Sequence, residues 1–226
     1  MFRKTGIILL LSAMAMICAA LWTVGAAEQI PEPGSILSDD EVYAQILDMY
    51  VAGMLGDEAI IESNEFNFSA YQAAIYSNVE PLYTIGYTFL DVNGDGRVEL
   101  LIADATEDRS ADGIIFDVWS ASEGNPRLFL QGWERNRLYL TPPDENGCYG
   151  FYMEGSDSAF ESIYQRGTFT VDGAVILVAL EYNEESPEVW KLDDAAVTEE
   201  TANMLINIWS SDLVQLNLTP LALWRQ

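Results

Sequence analysis

The sequence predicts an α+β chain in which helices come first, an antiparallel β-meander follows, and a helix closes the C-terminal part. Three observations predict it. Ser38 opens an amphipathic run with a capping-box partner at Glu41. From Leu82 onward the pattern changes to short β-rich runs broken by turn residues. The connections between those runs are too short for crossover helices, which favours antiparallel neighbours.

The first expected helix follows Ser38, with Asp39 and Asp40 in its first turn, where the helix dipole favours acids. Val42, Tyr43, Ile46, Leu47, Tyr50, Val51, Met54 and Leu55 recur at helical spacing, and Gly56 ends the run. A weaker helix is expected from Phe66 to Ser77, with Pro81 closing a helical segment of residues 38–80. A β-domain with its C-terminal helix then fills 82–226. Its β-runs are read at 83–90, 98–104, 114–120, 127–133, 137–141, 148–153, 160–171, 174–182 and 188–192. The breaks fall at 122–126, 142–147 and 154–158, and Asp172-Gly173 reads as a two-residue type I′ turn. A last helix is expected over 198–211.

Ahead of these elements, Arg3 and Lys4 precede an apolar stretch from Gly6 to about Ala27. Val24-Gly25-Ala26 and Gly25-Ala26-Ala27 offer two cleavage registers, after Ala26 and after Ala27, so residues 1–27 read as a secretory signal and 28–37, with two prolines and a glycine, as a spacer. The rival reading is an uncleaved membrane anchor. The expected location is secreted or at the cell surface. Cleavage would leave Cys148 as the only thiol, so no internal disulfide could form.

Composition excludes several functions. Ten Lys and Arg stand against 36 Asp and Glu, a net charge of −26, and there is no histidine. Losing residues 1–27 removes two bases and no acid, leaving 8 against 36 and a net charge of −28. Such a chain is a poor partner for nucleic acid or an anionic membrane surface. Without imidazole there is no Ser-His or Cys-His catalytic pair and no His-ligated metal. No phosphate-binding glycine loop or Cys-x-x-Cys pair appears, and no carboxylate pair can be singled out, so the chain is read as non-catalytic.

One motif carries specific chemistry. Asp91-Val92-Asn93-Gly94-Asp95-Gly96-Arg97-Val98-Glu99 places side-chain oxygens at positions 1, 3, 5 and 9 of a tight loop. Calcium takes six to eight oxygen ligands, and this alternation suits it. Gly96 permits the sharp turn, and Arg97 would offer its carbonyl while its guanidinium points outward. The bland alternative is an Asn-Gly turn, which explains the glycines but not the acids at ligand spacing. Asp104, at the end of the following strand, is a possible additional ligand. The acidic stretch through Glu107, Asp108 and Asp112 reads mainly as a solvated loop.

The motif resembles the calcium loops of FG-GAP and integrin-type repeats, and at its start those of dockerins and EF-hands. An EF-hand needs an acid at position 12, where this chain has Ile102. The resemblance is therefore to the hairpin version, which implies Asp91, Asn93, Asp95 and Glu99 as side-chain ligands and Arg97 as a carbonyl ligand. The order of Tyr87-Thr88-Phe89-Leu90, the loop, Leu100 to Asp104 and Ile115 to Trp119 is similar to uncharacterised exported proteins of Gram-positive bacteria. That similarity implies an ion and a compartment but no activity. A single loop copy argues against a full propeller.

The functional expectation is an exported binding or interaction module whose β-hairpin loop calcium stabilises, with an unknown protein or glycan at the cell surface as partner. The alternative is a carbohydrate-binding or glycan-acting surface protein that uses aromatics and acids near the metal loop. The aromatics themselves read chiefly as core. Asn67-Phe68-Ser69 and Asn217-Leu218-Thr219 match the N-glycosylation pattern.

Overall fold

A computed structural model describes residues 38–106, 113–122, 124–133, 135–156 and 158–225. The expected signal with Ala26 and Ala27, the 28–37 spacer, and Glu107, Asp108 and Asp112 lie outside the described residues. Helix α1 (Asp39–Met54) starts as its sequence asks: Glu41 N–H donates to the Ser38 hydroxyl, and the Glu41 carboxylate accepts from Ser38 N–H at 2.8 Å. Helix α2 (Glu58–Ile61) is capped by Asp57, and α3 (Phe68–Ile75) by Asn67. The second helix thus starts at Phe68 and not at Phe66, because Asn67 takes the extended cap conformation and Phe66 turns into the core. Pro81 occupies the first position of the single turn α4 (Pro81–Thr84), so the first strand begins two residues later than the β-run read from 83.

The strands are β1 (Ile85–Leu90), β2 (Glu99–Asp104), β3 (Ile115–Ser122), β4 (Asn125–Gln131), β5 (Asn136–Pro143) and β6 (Tyr149–Gly155). They continue with β7 (Glu161–Thr170), β8 (Gly173–Asn183), β9 (Trp190–Leu192), β10 (Ala195–Ala196) and β11 (Thr219–Pro220). Helix α5 (Glu199–Ser210) lies between β10 and β11. Among the described residues all eleven strands join one antiparallel sheet, ordered β10-β9-β8-β7-β6-β5-β3-β2-β1-β11, with β4 paired to β3 off this path. Two breaks expected from proline continue as strand instead. Asn125 and Pro126 belong to β4, which pairs only with β3 and so can place a proline at an edge. Pro143 ends β5 opposite Tyr149.

The expected type I′ turn at Asp172-Gly173 is also displaced. Thr170 pairs with Gly173, so Val171 and Asp172 are the turn residues, and only Gly173 takes positive φ. A turn with positive φ at both central residues occurs instead at Asp193-Asp194 (46° and 68°) between β9 and β10. Asp193 is held there by a reciprocal pair with Ala179, donating its N–H to the Ala179 carbonyl and accepting the Ala179 N–H on its carboxylate.

Strand β2 is buried along its whole length, and its side chains alternate between two cores. Leu100 and Ile102 pack with Val42, Ile46, Leu47 and Tyr50 of α1 and with Ala70 and Ala74 of α3. Leu101 and Ala103 join Ile115, Leu138, Leu140, Phe151 and Phe169. A third cluster joins Tyr139, Tyr152 and Leu180 to Ala202 and Trp209 of α5. No described helix is long and apolar enough to cross a membrane.

Candidate metal centre

Strands β1 and β2 pair from Ile85↔Asp104 to Leu90↔Glu99, so the 91–98 segment closes the end of this strand pair. The loop is wound by its own side chains. Asp91 accepts the N–H of Gly94 on one carboxylate oxygen and that of Gly96 on the other, both at 2.8 Å. Asn93 Oδ1 accepts from Asp95 N–H, and Asp95 Oδ1 accepts from Arg97 N–H. This succession requires positive φ at Gly94 (73°) and Gly96 (87°), which glycine adopts without a Cβ penalty.

Both ends of the loop are clamped. At its entry Val92 is fully buried, and its carbonyl accepts Tyr149 N–H at 2.8 Å. The Cys148 thiol donates to the Asn93 carbonyl at 3.0 Å, and Gly94 has the Asn146 carbonyl and the Cys148 sulfur packed against it. At its exit the first turns of α1 take hold. Arg97 forks onto Asp39, with Nε–Oδ2 at 3.0 Å and Nη2–Oδ1 at 2.5 Å, and also donates to the Ala121 carbonyl. The Tyr43 hydroxyl donates to the Val98 carbonyl and accepts from Ala121 N–H. Burial pushes that phenol up to about 12.

Of the five residues predicted as ligands, Asn93 and Glu99 are buried, and Glu99 is the buried acid. Its side chain accepts from Val92 N–H at 3.1 Å and from the Asn93 amide at 3.2 Å. Burial pushes its carboxyl up to about 7; Val92 N–H and the Ser120 hydroxyl pull it down, while repulsion from Asp95 and Asp91 adds to the rise. The loop's acids are therefore near enough to repel one another. All three turn oxygens to loop N–H groups, Asp91 and Asp95 near the surface and Glu99 from a buried position. Among the described residues no group of three or more His, Cys, Asp and Glu side chains is gathered at one point. The donor chemistry is nevertheless that of a hard cation: three carboxylates, one amide oxygen and backbone carbonyls within nine residues. Each carboxylate keeps lone pairs beyond those its N–H donors use.

Asp104 does not share this loop. It pairs with Ile85 at the far end of β2, five residues or about 17 Å from Glu99 at strand rise. There its carboxylate accepts from the N–H and hydroxyl of Thr106. The residues that sequence reasoning missed are the clamps: Asp39, Tyr43, Ser120 and Cys148. Asp39 carried a signal only as a first-turn acid, and nothing in the spacing of the others points to the loop. Asn67, one of the two glycosylation matches, is 3% exposed. Its amide bonds Phe116, Asp117 and Gly132 while its carbonyl caps α3, which leaves no room for a glycan.

A recess of about 220 Å³, lined by Glu161, Ser162, Ile163, Glu181, Tyr182 and Asn183, lies elsewhere. The Tyr182 ring sits 4.8 Å from that of Trp190. This group occupies the β6–β8 end where Gly155 pairs with Ile163, opposite the end where Tyr149 meets the loop, so these aromatics and acids are not beside it. Comparison with protein-family models, curated proteins and solved structures finds no match to this chain.

Proposed function

We propose that the 91–99 segment binds one calcium ion and that the chain is an exported, non-catalytic binding module stabilised by it. The side-chain oxygens of Asp91, Asn93, Asp95 and Glu99 and the carbonyl of Arg97 would hold the ion, making the β1–β2 pair a calcium-loop hairpin within the α+β fold. The observation that carries this reading is the succession of side-chain-to-backbone bonds from Asp91, Asn93 and Asp95. They wind the loop around its oxygen-bearing residues while both ends are held by the sheet and by α1. Ligation asks three acids to turn toward one point, and the cation then offsets their mutual repulsion. An exported chain meets calcium near millimolar, enough to occupy even a weak site.

Melting in calcium against EDTA tests this. A ligand present at a hundred times its Kd adds about 2.7 kcal/mol of stability. The proposal expects a higher melting temperature in calcium that Asp95→Ala abolishes. Superimposed curves overturn it.

A second reading rests on the Tyr182 recess. An aromatic ring beside Glu161, Glu181 and Asn183 is chemistry that recognises a sugar by stacking and hydrogen bonding. On this reading glycan binding is independent of the metal loop, and glycan-array binding lost in Tyr182→Ala with calcium held constant would support it.

A further inference from the structure

Helix α3 is built with its small residues inward. Ala70 and Ala74 are buried against the core, whereas Phe68 is 51% exposed, Ile75 44% and Tyr76 80%. Phe68, Tyr71 and Ile75 recur at i, i+3 and i+7, one stripe of the helix, and the Phe68 and Tyr71 rings are 6.0 Å apart. Tyr71 is half-buried against the core, but Phe68 and Ile75 on either side of it face water while the alanines are buried, which inverts the usual economy of an amphipathic helix. A contiguous apolar stripe of that kind on a soluble surface marks an interaction site.

The surrounding charge says what kind of partner fits. No Lys or Arg occurs between Lys4 and Arg97. Exposed Glu62 and Glu65 lead into α3, and exposed Glu80 follows it. The connection that meets Asn67 through Gly132 brings exposed Trp133 and the base Arg135. A second copy of this chain would set the same acids against each other, and an anionic surface would be repelled in the same way.

We propose that the exposed stripe of α3 is a docking surface for a cationic amphipathic polypeptide segment. Its apolar side chains cover Phe68, Tyr71 and Ile75, and its Lys and Arg meet Glu62, Glu65 and Glu80. Apolar contact supplies the anchor, and the acids supply on-rate and discrimination against acidic partners. The surface does not involve the metal loop, so the proposal stands or falls separately from calcium binding.

The test uses the purified protein and a fluorescein-labelled amphipathic helical peptide of Leu and Lys, followed by anisotropy in both calcium and EDTA. Saturable binding with one peptide per chain, weakening as salt rises, is expected under both conditions. Phe68→Ser combined with Ile75→Ser should weaken it at least tenfold, while Leu177→Ser, at an exposed apolar position on β8, should leave it unchanged. Far-UV circular dichroism checks that each variant keeps its fold, and Glu62→Gln with Glu65→Gln, which alters no packing, provides an independent arm expected to lower affinity. A scrambled peptide binding equally well, or Phe68/Ile75 variants binding as wild type, would show charge-driven adsorption only and overturn the proposal. Concentration-dependent dimerisation lost in the same variants, without peptide binding, would overturn it in favour of self-association.

Discussion

The hydroxyl of Tyr50 on α1 donates to Oδ2 of Asp117 on β3, and both side chains are fully buried. Asp117 also accepts from the amides of Asn67 (2.9 Å) and Gln131 (3.1 Å) and from the indole N–H of Trp119 (3.3 Å). Its donors thus come from α1, from the cap of α3, from β4 and from β3 itself, which makes it a buried polar point where helices α1 and α3 are both fastened to the sheet. Tyr50→Phe removes one of four donors to a buried carboxyl without changing its packing. Hydrogen bonds to charged groups are worth roughly 1.5–3 kcal/mol, so urea denaturation should show a loss of about that size.

The pH dependence of this lock has a definite sign. Burial, the largest cause, raises the Asp117 carboxyl above the ordinary aspartate value, against the lowering effect of its four donors. A carboxyl raised on folding contributes stability that is complete below the unfolded value of about 3.9 and is lost as pH rises through the folded value. In EDTA, wild type should therefore lose stability relative to Asp117→Asn as pH climbs through that window. A constant difference between the two proteins across the range would contradict the assignment. The groups facing Asp117 are Tyr50, Asn67, Trp119 and Gln131, and no cation is among them.

Gly94 and Gly96 both have positive φ but differ in surroundings. A Cβ at Gly94 would lie 3.0 Å from the Asn146 carbonyl and 3.2 Å from the Cys148 sulfur, whereas a Cβ at Gly96 meets nothing. Left-handed backbone costs a non-glycine residue about 1–2 kcal/mol. Gly96→Ala should lose about that much and Gly94→Ala measurably more, as read by denaturant midpoints without calcium.

The Arg97–Asp39 pair is exposed on both sides, with side chains 52% and 38% accessible. Exposed pairs couple by roughly 0.2–1 kcal/mol, so a double-mutant cycle should fall in that range. Because Arg97 is assigned a carbonyl and not its guanidinium, Arg97→Ala should keep calcium affinity near wild type. A loss as large as that of Asp95→Ala would contradict the carbonyl role.

What the sequence makes legible is local. The Ser38–Glu41 capping box can be read from residue types three apart, and the 91–99 motif from ligand spacing, because both depend on neighbours in the chain. The clamps could not be read, since Asp39 meets Arg97 through the packing of α1 on the sheet and Cys148 meets Asn93 across 55 residues of chain. Proline misled twice. Pro126 lies on an edge strand with no donor required, and only the tertiary arrangement reveals which strand is an edge. The turn at Asp193-Asp194 was missed because positive φ was sought at glycine, whereas here two aspartates adopt it. Asp104 is a possible additional ligand on sequence grounds because it ends the strand that begins at the loop, but a strand carries its end away from its start.

Calcium titration by isothermal calorimetry, on wild type and on Asp95→Ala, decides whether the 91–99 loop holds the ion. One ion per chain is expected in wild type, and no heat of binding in the variant, which should keep its fold by circular dichroism. Absence of binding in wild type at millimolar calcium, or undiminished binding in Asp95→Ala, would contradict it.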